Sequence, residues 1–262
     1  MSNPASPVRA LEGRVAIVTG GAAGLGVGIV EALAAAGANV VIAARRVAAA
    51  EEVAGRLRQG GGRVLSVRTD VCVADDVTEL VARTTSELGR LDIVVHNASS
   101  SASNLPVALE DIRDDDWFEQ WNVGLGAAQR LARAAFPALK QSSHGRFFVM
   151  SSTQGLHGGS MNPCYTAIKS GLRGFAKSLA REWGPHGILV SAIAPAALTG
   201  PAVQYLERNP AFRTQIESGT PLGRLGDPRE DVGRTIVAMC GDDWHYVTGL
   251  TLMVDGGSYL AQ

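Results

Sequence analysis

The stretch Val15-Ala16-Ile17-Val18-Thr19-Gly20-Gly21-Ala22-Ala23-Gly24-Leu25-Gly26 decides how this chain is read. Its apolar start suits a strand buried on both faces. Its glycines suit a tight turn, and the helical spacing of Ile29, Val30 and Leu33 beyond it suits a helix packed back on that strand. With 31 glycines in 262 residues, three glycines at these offsets mean little by themselves. Their place between a strand and a helix is what counts. There, glycines let the backbone turn sharply and approach a pyrophosphate held on the helix N-terminal amides. Thr19, Gly20, Gly24, Leu25 and Gly26 are therefore candidate cofactor contacts.

Moving outward, short apolar runs recur at 39–43, 64–67, 91–97, 147–151, 188–193 and 250–254. Helix-length segments separate them, with apolar residues in helical register such as Val53, Ala54 and Leu57, then Val77, Leu80, Val81 and Leu88. Strand, helix, strand repeated in this way predicts an α/β fold. The expectation is a single domain over residues 1–262: a doubly wound parallel sheet of about seven strands, a Rossmann fold, with helices on both faces. Residues 196–219 break the rhythm, placing Pro201 and Pro210 around Val203, Tyr205 and Leu206. Such an insertion predicts a lid over a site.

Composition narrows the partners. The formal net charge is -1 and neither end carries a basic run, which leaves no electrostatic footprint for nucleic acid or an anionic membrane. Residues 1–9 hold no apolar stretch suited to a secretory signal, and no long uncharged apolar run suggests a spanning helix. Cys72, Cys164 and Cys240 are odd in number and far apart, which argues against a disulfide framework or a zinc site. The expectation is a soluble cytoplasmic protein, with Cys164 a small packing residue.

The second apolar run ends Ile42-Ala43-Ala44-Arg45-Arg46, without a carboxylate. A carboxylate there would hold ribose hydroxyls and repel a 2′-phosphate, whereas an arginine fork pairs with the phosphate. This favours NADP(H), with NAD(H) the second choice, and Arg45 as the main contact. Arg46 reads as a solvated charge at a helix start. Asp70, with Val71 after it, ends the third strand, where it flanks an adenine ring or caps the next turn.

Tyr165 and Lys169 lie four apart on a predicted helix and so share a face. The chain has four tyrosines and three lysines against 21 arginines, which makes the choice of lysine informative. A compact ammonium can act on the phenol and still reach ribose hydroxyls. Bringing a phenol from pKa ~10 to ~7 takes about 4 kcal/mol of preference for the phenolate, and a nearby ammonium supplies a large share. Ser152 stands thirteen residues upstream at the end of the fifth predicted strand, where open α/β sheets bind ligands. Its hydroxyl is placed to hold a substrate oxygen as charge develops. Asn122 falls in the helix after the fourth strand. Local chemistry alone reads it as a helix-buried amide, with a water- or backbone-linked path to Lys169 as the alternative.

These pieces resemble the short-chain dehydrogenase/reductase family over nearly the whole chain. The match runs through Thr-Gly-x-x-x-Gly-x-Gly at 19–26, Asp70, Asn97-Ala98, Asn122, Ser152, Tyr165/Lys169, Pro195 and the tail Val254-Asp255-Gly256-Gly257. The resemblance implies a catalytic tetrad of Asn122, Ser152, Tyr165 and Lys169. Within it Lys169 acts on the ribose, Tyr165 is the acid/base and Ser152 meets the carbonyl. It also implies cofactor contacts at Asn97, Ala98, Pro195 and Thr199, and a homotetramer with the Tyr165 helix at one interface. The chain departs from the family pattern at His96 and Ser99, where Asn and Gly are usual. It departs again at Ser191 and at Ala196, where Asn and Gly are usual.

The pocket is expected between the loop after Ser152, the 196–219 lid and the segment after Asn97. His157 and Tyr205 join Ser152 and Tyr165 as candidate substrate contacts, among mostly apolar neighbours such as Leu156 and Met161. A solvated loop histidine is the plainer reading of His157. The expected partner is a neutral or weakly polar carbonyl or secondary alcohol, and a likeness to 3-oxoacyl-carrier-protein reductases fits this. Two alternatives stand beside that reading. One is an NAD-preferring secondary alcohol dehydrogenase, and the other is a catalytically silent sensor that binds the cofactor.

Overall fold

Alternation along the strands explains why their sequences run apolar without a break. In β1 (Val15–Thr19) every residue is buried, yet Ile17 packs into one core while Ala16 and Val18 pack into another. Successive side chains point to opposite faces, so a strand covered on both sides must be apolar at both parities. Phe147 and Phe148 divide in the same way.

The computed structural model describes residues 10–104, 106–197 and 208–260. After β1 come α1 (Leu25–Ala35), β2 (Asn39–Ala44), α2 (Val47–Gln59), β3 (Val64–Arg68), α3 (Ala74–Leu88) and β4 (Ile93–His96). The chain continues through α4 (Asp114–Trp121), a π-helical turn (Asn122–Gly126) and α5 (Ala127–Gln141). Then follow β5 (Arg146–Met150), α6 (Gln154–His157), α7 (Pro163–Trp183), β6 (Leu189–Pro195) and finally β7 (Thr251–Val254). The strands form one seven-stranded sheet in the order β3-β2-β1-β4-β5-β6-β7, parallel at every pairing. The doubly wound α/β expectation therefore holds.

One core joins α3, α5 and α7 to the sheet through Leu80, Leu131, Leu172 and Trp183. The other joins α1, α2 and the helix Arg234–Cys240 through Ile29, Leu33, Val53 and Ile236. Each such side chain, fully buried, contributes roughly 1.5–3 kcal/mol.

Two boundaries differ from the sequence reading. The run at 91–97 yields only Ile93–His96 as strand, because the Asn97 amide leaves the ladder to donate to the Thr19 hydroxyl at 3.1 Å. The sixth strand runs on to Pro195, which pairs with Val254. Of the expected lid, Pro210–Ser218 is helical. Thr199, Val203, Tyr205 and Leu206 lie outside the described residues. No described helix is long and apolar enough to cross a membrane.

Candidate active site

Strand order reverses between β1 and β4, and ligands of open α/β sheets bind at such a switch point, beyond the strands' C-terminal ends. Thr19 and His96 end these two strands and pair in register. The Thr19 hydroxyl is wholly buried and accepts from the amides of Asn97 and Ala98, each at 3.1 Å. Asn97 Nδ2 donates back to the carbonyls of Thr19 and Gly20 at 3.1 and 3.2 Å. The glycine loop and the 97–98 segment are thereby locked together.

That closeness explains the glycines. Gly20 has φ +67°, and a Cβ on it would lie 3.0 Å from the Ala98 Cα. A Cβ on Gly26 would lie 2.2 Å from the Gly20 carbonyl oxygen. Gly24, at φ 52°, opens α1 without a capping side chain, and no acidic residue occupies the first turn from Leu25. A helix start without a capping side chain or an acidic first turn is an anion-binding end. The residues fit a dinucleotide phosphate here.

At the end of β2, Arg45 and Arg46 are exposed, and neither makes an ion pair within the described residues. Asp70 adopts the turn-capping role: its Oδ1 accepts from the Cys72 amide at 2.9 Å. Val71 is buried in a small cluster with Val123 and Ala127, against which Ala98 packs.

Ser152, Tyr165 and Lys169 converge beyond β5. The Ser152 hydroxyl accepts from the Gln154 amide at 3.2 Å and lies near enough to the Tyr165 phenol to favour its charged form. Lys169, only 7% exposed, donates from Nζ to the Met150 carbonyl at 2.7 Å and lies 5.3 Å from the centre of the Tyr165 ring. Ser151, pointing the other way as the pleat requires, donates to the Lys169 carbonyl at 2.9 Å and pins α7 to the strand end. Desolvation brings the Lys169 ammonium down to about 8. The phenol does not follow the expectation of acidification by lysine. Burial pushes Tyr165 above its ordinary value, and the nearby Ser152 hydroxyl opposes that only in part.

Asn122 sits in the π turn, where its Oδ1 accepts from the Arg130 guanidinium rather than linking directly to Lys169. Pro195 ends β6, and Ala196 is held on both sides: its amide donates to Val254 at 3.0 Å and its carbonyl accepts from Gly226 at 2.9 Å. His157 is exposed and stacks on Tyr259, with ring centres 5.8 Å apart. Cys164 is a buried packing residue, its thiol pushed up by burial.

Sequence reasoning missed three participants. The Met150 carbonyl has no side-chain signature, and Arg130 is one arginine among 21. His96 had a signal: it is the one ring-bearing polar residue in an apolar run. It bridges Thr19 and the π turn, its two ring nitrogens lying 3.2 Å from the Thr19 hydroxyl and 2.9 Å from the Gly124 carbonyl.

Residues 20–259 match a protein family described as enoyl-(acyl carrier protein) reductase. A 3-oxoacyl-acyl-carrier-protein reductase of Pseudomonas aeruginosa is 34% identical over 255 residues, covering 96% of this chain and 99% of that one. A 12alpha-hydroxysteroid dehydrogenase of a Clostridium species is 35% identical over 256 residues, covering 94% and 96%. Among solved structures, a 3-ketoacyl-(acyl-carrier-protein) reductase from Brucella melitensis complexed with NADH superposes with a TM-score of 0.86. It is 29% identical and covers 95% of this chain and 99% of that one.

Proposed function

This chain belongs to the short-chain dehydrogenase/reductase family, and from that premise we propose that it reduces a small carbonyl compound, or oxidises the matching secondary alcohol, with NADP(H). The observation that carries this reading is the meeting of Ser152, Tyr165 and Lys169 at the end of the sheet, beside a glycine loop suited to a pyrophosphate.

When bound, the nicotinamide ring supplies the hydride for reduction and takes it in oxidation. The chain's own residues handle the proton and the position. Ser152 Oγ holds the substrate oxygen, a contact of the kind worth about 10²–10³ in rate when a developing oxyanion is stabilised. Tyr165 Oη gives that oxygen its proton during reduction and takes it back during oxidation. Lys169 places its ammonium 5.3 Å from the centre of the phenol ring and would hold the ribose hydroxyls. Asn122, held by Arg130, supports the same corner. Thr19, Gly20, Gly24, Leu25, Gly26, Asp70, Val71, Asn97, Ala98, Pro195 and Thr199 would line the cofactor, and His157 and Tyr205 the substrate.

The choice of NADP(H) over NAD(H) rests on Arg45, an exposed guanidinium at the end of β2 with no carboxylate beside it. We place the enzyme in the cytoplasm as a one-domain protein with 196–219 as its lid. It would work as a homotetramer, a reading to which the exposed Phe118 and Trp121 on α4 add apolar surface.

Turnover of a panel of ketones and secondary alcohols, followed by NADPH and NADH absorbance, tests this with wild type and Tyr165→Phe. The expected result is NADPH-dependent turnover that Tyr165→Phe loses. Wild type that binds NADPH yet turns over nothing would favour the silent sensor, and an active Tyr165→Phe would remove the mechanism.

A further inference from the structure

We propose that His96 is a positioning residue: a neutral imidazole, protonated at Nε2, that ties the cofactor loop at Thr19 to the π turn carrying Asn122. The inference rests on the roles assigned above to that loop and that turn, but its geometry stands apart from them.

The hydrogens decide the tautomer. Thr19 Oγ1 already accepts the amide hydrogens of Asn97 and Ala98. Its remaining function is to donate, and His96 Nδ1 lies 3.2 Å away. A hydroxyl that donates to Nδ1 requires that nitrogen to be bare, so the ring hydrogen sits on Nε2. Nε2 in turn faces the Gly124 carbonyl at 2.9 Å, which needs a donor. One arrangement satisfies every group. Moving the hydrogen to Nδ1 would leave the hydroxyl hydrogen without an acceptor and set a bare nitrogen against a carbonyl, in a site where His96 is 1% exposed. Burial also keeps the ring neutral, holding its pKa down to about 4.

The link continues past Gly124. A Cβ on Gly124 would come within 2.5 Å of Ile168 Cγ2, so the π turn is seated directly on α7, one residue before Lys169. Asn122 begins the same turn. His96 therefore spans from the glycine loop, through its ring, to the turn and the helix that carry Asn122, Tyr165 and Lys169. A histidine that merely filled space would not need both nitrogens matched to one donor and one acceptor on separate elements.

Two substitutions divide the bridge. His96→Asn keeps an acceptor near the Thr19 hydroxyl but is too short for Gly124. His96→Gln keeps the reach to Gly124 and gives up the near acceptor. Three measurements follow: the NADPH dissociation constant, the kcat and KM values with their pH dependence, and the ¹⁵N spectrum of the imidazoles in cofactor-free wild type. For His96→Asn, we expect an NADPH affinity within about twofold of wild type. Its kcat should fall about tenfold, the scale of one buried hydrogen bond. The high-pH limb of its reduction rate should also move upward, as the phenol loses support from a displaced turn. For His96→Gln, we expect NADPH binding about tenfold weaker, with kcat recovered at saturating NADPH. Equal losses of affinity and kcat in both variants, or no change in either, would overturn the proposal. If both variants fail to fold, the wild-type spectrum decides: an Nδ1–H tautomer or a charged ring at neutral pH overturns it, and an Nε2–H tautomer sustains it. Wild type without turnover would sink the functional reading alone, since tautomer and cofactor affinity remain measurable.

Discussion

Lys169 donates from its ammonium to the Met150 carbonyl at 2.7 Å, so the last residue of β5 holds the lysine that stands behind Tyr165. Strand end and helix face are thus joined by a buried charge with a single carbonyl partner among the described residues. Lys169→Met should lower kcat/KM at least a hundredfold while leaving the fold intact, since replacing a buried charge with an apolar chain of similar size is often neutral or stabilising. Lys169→Arg should not restore activity, because a planar guanidinium does not fit an ammonium's place. Steady-state kinetics and thermal melts check both.

The same lysine makes a pH prediction. Its folded value of about 8 lies below the ordinary 10.5, so between these values the unfolded chain holds a proton that the folded chain has released. Stability from this group therefore rises as pH increases from about 8 to 10.5. Denaturant melts across that window should show the rise in wild type and lose it in Lys169→Met.

Tyr165 should behave differently alone and in the working complex. Burial holds its phenol above the ordinary value in the cofactor-free protein. Ultraviolet titration should show no phenolate from Tyr165 at neutral pH, by difference from Tyr165→Phe. Adding oxidised cofactor, whose nicotinamide is cationic, should bring that phenolate signal to lower pH. A phenolate already present at neutral pH without cofactor would contradict the burial argument.

Arg45→Ala should reduce the preference for NADPH over NADH by about ten- to a hundredfold, the range of a charge-assisted hydrogen bond of ~1.5–3 kcal/mol. Arg46→Ala, one residue further on, should leave that preference within about twofold. The ratio of kcat/KM for the two cofactors is the measure.

His96 should set part of the acid limit. Its folded value of about 4 lies below the ordinary 6.5, so between these values the unfolded chain takes up a proton that the folded chain refuses. Stability is then lost as pH falls from about 6.5 through 4, by up to about 3 kcal/mol. Acid unfolding of wild type and His96→Gln should differ in steepness over that range, with the variant the flatter.

Much of this protein could be read along the chain, for a local reason. Strand runs, helix spacing and the turn at 19–26 are short-range patterns, and Tyr165 and Lys169 share a face because a helix repeats every 3.6 residues. Ser152 followed from its place at a strand end. These determined the sheet, its parallel sense and the residues at its C-terminal edge.

Tertiary structure alone decided the rest, because the partners are distant in sequence and often carry no side-chain signal. Lys169 meets a backbone carbonyl 19 residues away, and His96 meets Thr19 at a separation of 77 and Gly124 at 28. Asn122 turned out to be held by Arg130, a partner that no motif names. The direction of the Tyr165 shift also depended on three dimensions. A lysine four residues away leads one to expect an acidified phenol, but burial raises it and the nearby Ser152 hydroxyl opposes that only in part, a balance set by the packed surroundings of the ring.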